Sequence, residues 1–219
     1  MSGKPLKTGA TYDDLRDVPD DYVAEMFDGE LYASPRPALP HTRAASVLGA
    51  DLIGAFDRGR TGPGGWVILY EPELHFGNDV LVPDIAGWRR SRLPEVPAEA
   101  YLTLAPDWVC EVVSPFTETI DRTKKLGIYA RERVPHAWLL DPLRRVLEVL
   151  SLESGTWASA ATHEGRGKVR AMPFDAMELE LARFGFEGSR AFDAAGCPRR
   201  RAGVSETKGS AGPRAHRYN

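Results

Sequence analysis

Two periodicities of hydrophobic and polar residues mark out the elements of this chain. Between Asp107 and Pro142, DWVCEVVSPFTETIDRTKKLGIYARERVPHAWLLDP reads as a buried strand, a Ser-Pro turn, an amphipathic helix and a second buried strand. Both strands are apolar enough to be covered on both faces, yet the first carries Glu111 among valines. Side chains alternate along a strand, so Val109, Glu111 and Val113 share one face. A carboxylate there costs on the order of several kcal/mol unless a cation or donors meet it. Asp121, Lys125 and Tyr129, spaced four apart on the helix, stack along one of its faces. Lys125 is therefore one candidate partner for Glu111 and a metal ion is another; an ordinary structural ion pair and a core-facing Tyr129 are the plainer reading.

The same pattern organises the rest. Thr11 caps a short helix, and YVAEMFDGELYASP is a hairpin turning at Asp28-Gly29, with Glu30 just past the turn. Pro40 opens a helix to about Arg58, with His41, Ala45, Leu48 and Leu52 in one narrow arc. The Gly-rich loop Arg58–Gly65 lacks the Gly-Lys-Ser/Thr of a phosphate-binding loop. Strands follow in WVILYEP, ELHF and VLVPDIAGW. In the last, Asp84 interrupts an apolar run directly after Pro83, which has no ladder donor and marks a strand edge, start or bulge. Residues 89–106 read as a Pro-rich surface loop, Asp141 as a turn residue, VLEVLSLE as a strand with one wet face, and MPFDAMELELARF as the closing segment.

The expected organisation is a flexible leader over residues 1–10, one domain over 11–186, and a disordered Arg/Gly/Pro-rich tail over 187–219. No apolar run is long enough to cross a membrane and no secretory signal is visible; with only Cys110 and Cys197, far apart, a disulfide framework is excluded and a cytoplasmic setting expected. The net charge is −3, but from Glu187 onward seven Lys/Arg face three Asp/Glu, a net of +4 that leaves −7 on residues 1–186. That average field opposes tight, sequence-independent DNA binding by the domain without excluding catalysis. Arg199-Arg200-Arg201 is either a phosphate-binding arm or a solubilising end.

Asp84 and Glu111 thus stand on separate core strands, with Lys125 on the helix after the second. Two converging carboxylates suit Mg²⁺, and a lysine beside them can orient water or stabilise charge building on phosphorus. Pro83-Asp84, Glu111-Val112-Val113-Ser114-Pro115 and Lys125-Leu126-Gly127-Ile128-Tyr129-Ala130 together resemble the motifs of the Uma-type putative restriction endonuclease family, within the PD-(D/E)XK nuclease superfamily. The likeness extends to DGELYASPRPALPH, VPHAWLLDP, VLEVLSLE and MPFDAMELELARF, covering roughly Thr11 to Phe186.

The resemblance implies an α/β, restriction-endonuclease-like fold: a mixed central sheet flanked by helices, with additional β-hairpins. It implies an endonuclease hydrolysing DNA with Mg²⁺, or Mn²⁺ in its place, and no organic cofactor. Asp84 and Glu111 would ligate the metal. Lysine is usual two residues after the second acid, where this chain has Val113, and the basic residue resembling it is Lys125, with Lys124 as the alternative. Glu30 resembles an N-terminal acid that completes such sites, and His41 a polar residue near the pocket. Phe116 departs from the small polar residue usual after Ser-Pro. A homodimer is compatible with the edge strands. Two other functions fit the same residues: a non-catalytic binding or scaffold module on a nuclease fold, and a hydrolase of some other phosphate ester.

Overall fold

Wherever a strand alternates or an apolar run is bounded by turns, the chain pairs into one of two six-stranded sheets. The structure, a computed structural model, describes residues 4–185; the whole of the expected tail, with Cys197 and the arginine run, lies outside the described residues. Part of the expected leader is a strand: β1 (Lys7–Thr8) pairs with Leu31 and Glu30 of β3 (Glu30–Pro35). Between them lies α1 (Tyr12–Arg16), capped by Thr11 as its sequence requires. β2 (Tyr22–Phe27) pairs antiparallel with β3 across the turn at Asp28 and Gly29, both at positive φ, which only a short polar residue and glycine adopt readily.

The helix predicted after Pro40 is α2 (Leu39–Leu52), extended by a π-helical turn at Ile53–Asp57. β4 (Trp66–Tyr70), β5 (Glu73–Phe76) and β6 (Asp79–Leu81) follow. The run VLVPDIAGW is not one strand. Its first part is β6, and its second is β7 (Ile85–Arg89), in the other sheet. Pro83 forces this break, since it has no N–H to continue a ladder. The Pro-rich stretch read as loop contains β8 (Tyr101–Leu102), parallel to β5.

After β9 (Trp108–Val112), the predicted amphipathic helix is divided into α3 (Glu118–Ile120), a π-helical turn over Asp121–Lys125, and α4 (Leu126–Arg131). β10 (His136–Asp141) runs parallel to β9; β11 (Val146–Glu153) and β12 (Thr156–Glu164) complete a meander. A small pair, β13 (Lys168–Val169) and β14 (Leu179–Glu180), closes the described region.

The order β12-β11-β10-β9-β7-β4 is the mixed central sheet; the hairpin sheet is β1-β3-β2-β6-β5-β8. Period-two alternation divides the core accordingly. Cys110 and Val112 face α2, with Trp66, Trp108, Trp138 and Phe174. Val109 and Val113 face the other way, onto Ile120, Leu126 and Tyr129 and onto Phe27 and Leu81 of the hairpin sheet. Glu111 falls on that second face. The chain passes between the sheets five times, most directly at Glu71-Pro72 and at Val82-Pro83-Asp84, and the Glu71 N–H donates to the Asp84 carbonyl at 3.1 Å. Among the described residues no helix is long and apolar enough to cross a membrane.

Asp79 ties the hairpin sheet to the helix that follows β9. Its carboxylate, 3% exposed, accepts from the Asp28 N–H at 2.6 Å and pairs with Arg131 at 2.7 Å. Asp79→Ala strands a backbone donor and a guanidinium together. We expect a loss of about 2 kcal/mol in urea denaturation; less than about 0.5 kcal/mol would mean the clamp holds nothing.

Candidate active site

Glu25, from the middle of β2, points to the same face as Phe27 and is itself 8% exposed. Glu111 of β9 is 2% exposed and Lys125 is 3% exposed. The ammonium of Lys125 donates to Glu111 Oε2 at 2.9 Å and to the Val82 carbonyl at 3.1 Å, and lies 3.0 Å from Glu25 Oε1. Asp121 Oδ1, one turn back on the helix, is 4.0 Å away. Glu25 Oε1 also accepts from the Val82 N–H at 2.8 Å, and the Tyr129 hydroxyl donates to Glu111 Oε1 at 2.7 Å. Strands from both sheets, one inter-sheet crossing and the π-helical turn therefore meet at one amine.

Asp84 stands at the edge of this cluster. Its Oδ2 accepts from the Val112 N–H at 2.7 Å, one residue past Glu111, and its Oδ1 is 3.2 Å from His41 Nε2. His41 arrives from the first turn of α2, and its Nδ1 is buried with no protein partner.

The charges explain one another. Burial alone would lower the Lys125 pKa, but Glu111, Glu25, Asp121 and Asp84 outweigh it and hold the amine protonated, well above its ordinary value. Burial raises Asp121 from 3.8 to about 7, opposed by Lys125 and by a hydrogen bond from Thr117 and reinforced by Glu25 and Asp84. Burial likewise lifts the Tyr129 phenol well above 10, so it acts here as a donor and not as a base.

Of the five residues singled out in the sequence, Asp84, Glu111, Lys125 and His41 are brought together. Glu30 is not. It pairs with Lys124 at 3.1 Å and accepts from the Tyr32 hydroxyl at 2.7 Å, at the partly exposed rim. Glu30 directly follows the turn at the far end of β2, whereas Glu25 lies within the strand, so it is Glu25 that reaches the cluster. The two lysines divide accordingly, Lys125 inward and Lys124 outward. Glu25 and the roles of Asp121 and Tyr129 were missed. Glu25 had the same signal that singled out Glu111, an acid on the apolar face of a strand, here with Val23 and Phe27.

A model of the family described as Uma2, putative restriction endonuclease, matches residues 10–182. The chain belongs to this family. A solved structure, a putative nuclease belonging to DUF820 from Anabaena variabilis ATCC 29413, superposes with a TM-score of 0.65 over 80% of this chain and 97% of that one, at 20% identity. That likeness carries the fold: the α/β architecture is one found in a putative nuclease. No curated protein matches the chain. The Uma2 match spans every residue of the cluster, from Glu25 to Tyr129.

Among the described residues no three Asp, Glu, His or Cys side chains are arranged to hold a metal ion as they stand. In donor type, however, the cluster suits a hard divalent cation, since its acids and the Val82 carbonyl offer only oxygen. Four carboxylates bear on one ammonium, and the raised Asp121 pKa, chiefly an effect of burial, is opposed by Lys125. In donor chemistry and charge these residues fit such an ion.

Proposed function

We propose that the chain is a Mg²⁺-dependent endonuclease that hydrolyses phosphodiester bonds in DNA, with Mn²⁺ as a substitute ion. The observation that carries this reading is the convergence of Glu111, Lys125 and the Asp84–Val112 contact at one inter-sheet junction. Family membership supports a nucleic acid as substrate. Asp84 and Glu111 would hold the ion, which when bound supplies a Lewis acid and makes water more acidic. Tyr129 fixes the rotamer of Glu111, and Val112 N–H with His41 fixes that of Asp84. Lys125 supplies the positive charge for the phosphorane-like transition state. Lys124, at the rim, is placed to meet a flanking phosphate.

The test is plasmid nicking with Mg²⁺ or Mn²⁺, run alongside RNA and a small chromogenic phosphodiester. Asp84→Asn and Glu111→Gln are each expected to lose at least about 100-fold in rate. Nicking that survives both substitutions would come from a contaminant and not from this site. Turnover of the small ester with none on DNA would move the assignment to another phosphate ester. Two observations favour a non-catalytic module: the site amine is engaged by protein oxygens, and a domain carrying −7 repels DNA on average. Saturable Mn²⁺ binding that vanishes in an Asp84→Asn/Glu111→Gln double variant argues against that alternative.

A further inference from the structure

An alkyl ammonium has three N–H donors and no more. Lys125 spends two on Glu111 Oε2 at 2.9 Å and the Val82 carbonyl at 3.1 Å, and Glu25 Oε1 lies in ion-pair contact at 3.0 Å. In this arrangement the amine is held among protein oxygens. As an ammonium it has no lone pair, so it cannot take a proton. Both Glu111 oxygens are engaged, Oε2 by Lys125 and Oε1 by the Tyr129 hydroxyl, and a divalent ion beside a fixed ammonium would be strongly repelled.

We propose that Lys125 is the resident cation of this site and must leave Glu111 Oε2 before Glu111 can ligate a divalent ion, so that ion loading and lysine release are one exchange. The inference rests on the proposed metal-dependent reading of the site. Two features make the exchange feasible. Glu25 and Asp121 remain beside the amine once Glu111 is given up, so the charge is never left unpaired. The lysine also stands at the end of a π-helical turn, a wide turn that interrupts α-helices and recurs at functional sites. A lysine released from Glu111 turns its ammonium toward the substrate only when the ion is in place, so the cluster would not engage phosphate without its metal.

Coupling of this kind is reciprocal, so removing the ammonium should strengthen ion binding. Lys125→Met is expected to bind Mn²⁺ at least about 10-fold more tightly than the wild type at pH 7.5, read by electron paramagnetic resonance of free Mn²⁺. Because that variant could fold poorly without an ion, the wild-type chain gives a second readout. With ¹⁵N-labelled lysine, the buried, hydrogen-bonded ammonium should show a slowly exchanging NMR signal in metal-free protein, which shifts or disappears as Mg²⁺ is added. Equal Mn²⁺ affinities for wild type and Lys125→Met, with none for Glu111→Gln, would overturn the exchange while leaving the metal site standing. A lysine signal unmoved at saturating Mg²⁺ would overturn it in the same way. No Mn²⁺ binding by any of the three proteins would remove the reading on which it rests.

Discussion

At pH 8 and without divalent ions, Lys125→Met is expected to lose about 3–5 kcal/mol of stability, read by urea denaturation. The substitution keeps most of the side-chain volume, so the loss reports charge and hydrogen bonding more than a cavity. It leaves Glu111, Asp121 and Glu25 buried with no cation among them. In the wild type Lys125's pKa is raised in the fold, so its contribution is complete below the unfolded-state value and is lost only as pH rises through the folded one. Across pH 5–9 the amine itself stays protonated, so any change with pH comes from the acids around it. In the variant the remaining acids can be relieved by protonation, so the deficit should narrow as pH falls. Lys124→Met is the control: its pair with Glu30 is partly exposed and screened by solvent, so its loss should leave the urea midpoint nearly unchanged. A Lys125→Met deficit as small as that, or one unchanged between pH 8 and pH 5, would mean that the carboxylates are not relying on this amine.

Several parts of this arrangement are legible in the sequence because they depend on local chemistry. A Thr cap, an Asp-Gly turn and a proline that ends a strand act within a few residues, and each is found where its residues stand. Asp141 likewise takes up the Leu143 and Arg144 N–H groups as a turn residue should. Glu111 could be singled out because an acid at the centre of an apolar strand carries a penalty visible from its neighbours alone. What could not be read is which distant segment answers it. Glu25 is 86 residues before Glu111 and belongs to the other sheet, and the two meet at Lys125 beside the Val82-Pro83-Asp84 crossing. Glu30 was singled out by motif position. The alternation of YVAEMF, read as strictly as that of WVCEVV, assigns Glu25 to the core face. The division of the central helix was equally hidden, since a π-helical turn and an α-helical one place Asp121 and Lys125 on the same side.

Asp121 offers the sharpest test of whether negative charge is held here at a cost. Its carboxyl rises from 3.8 to about 7 in the fold, chiefly through burial. A group with its folded pKa raised stabilises fully below the unfolded value and loses that contribution as pH climbs through the folded one. Wild-type stability should therefore decline between about pH 4 and pH 7 on account of this residue. Asp121→Asn removes the titration and keeps the shape. It should match the wild type near pH 4 and exceed it by about 3 kcal/mol at pH 8, roughly 10 °C in melting temperature for a domain of this size. A variant less stable than the wild type at pH 8 would show instead that the Asp121 charge is needed to keep Lys125 in place. The predicted gain, paired with the loss expected from Lys125→Met, fixes the sign of the imbalance: one ammonium is indispensable and one carboxylate is in surplus. If so, an added divalent ion should stabilise the wild type more than Asp121→Asn, because only the wild type carries the extra charge for the ion to neutralise.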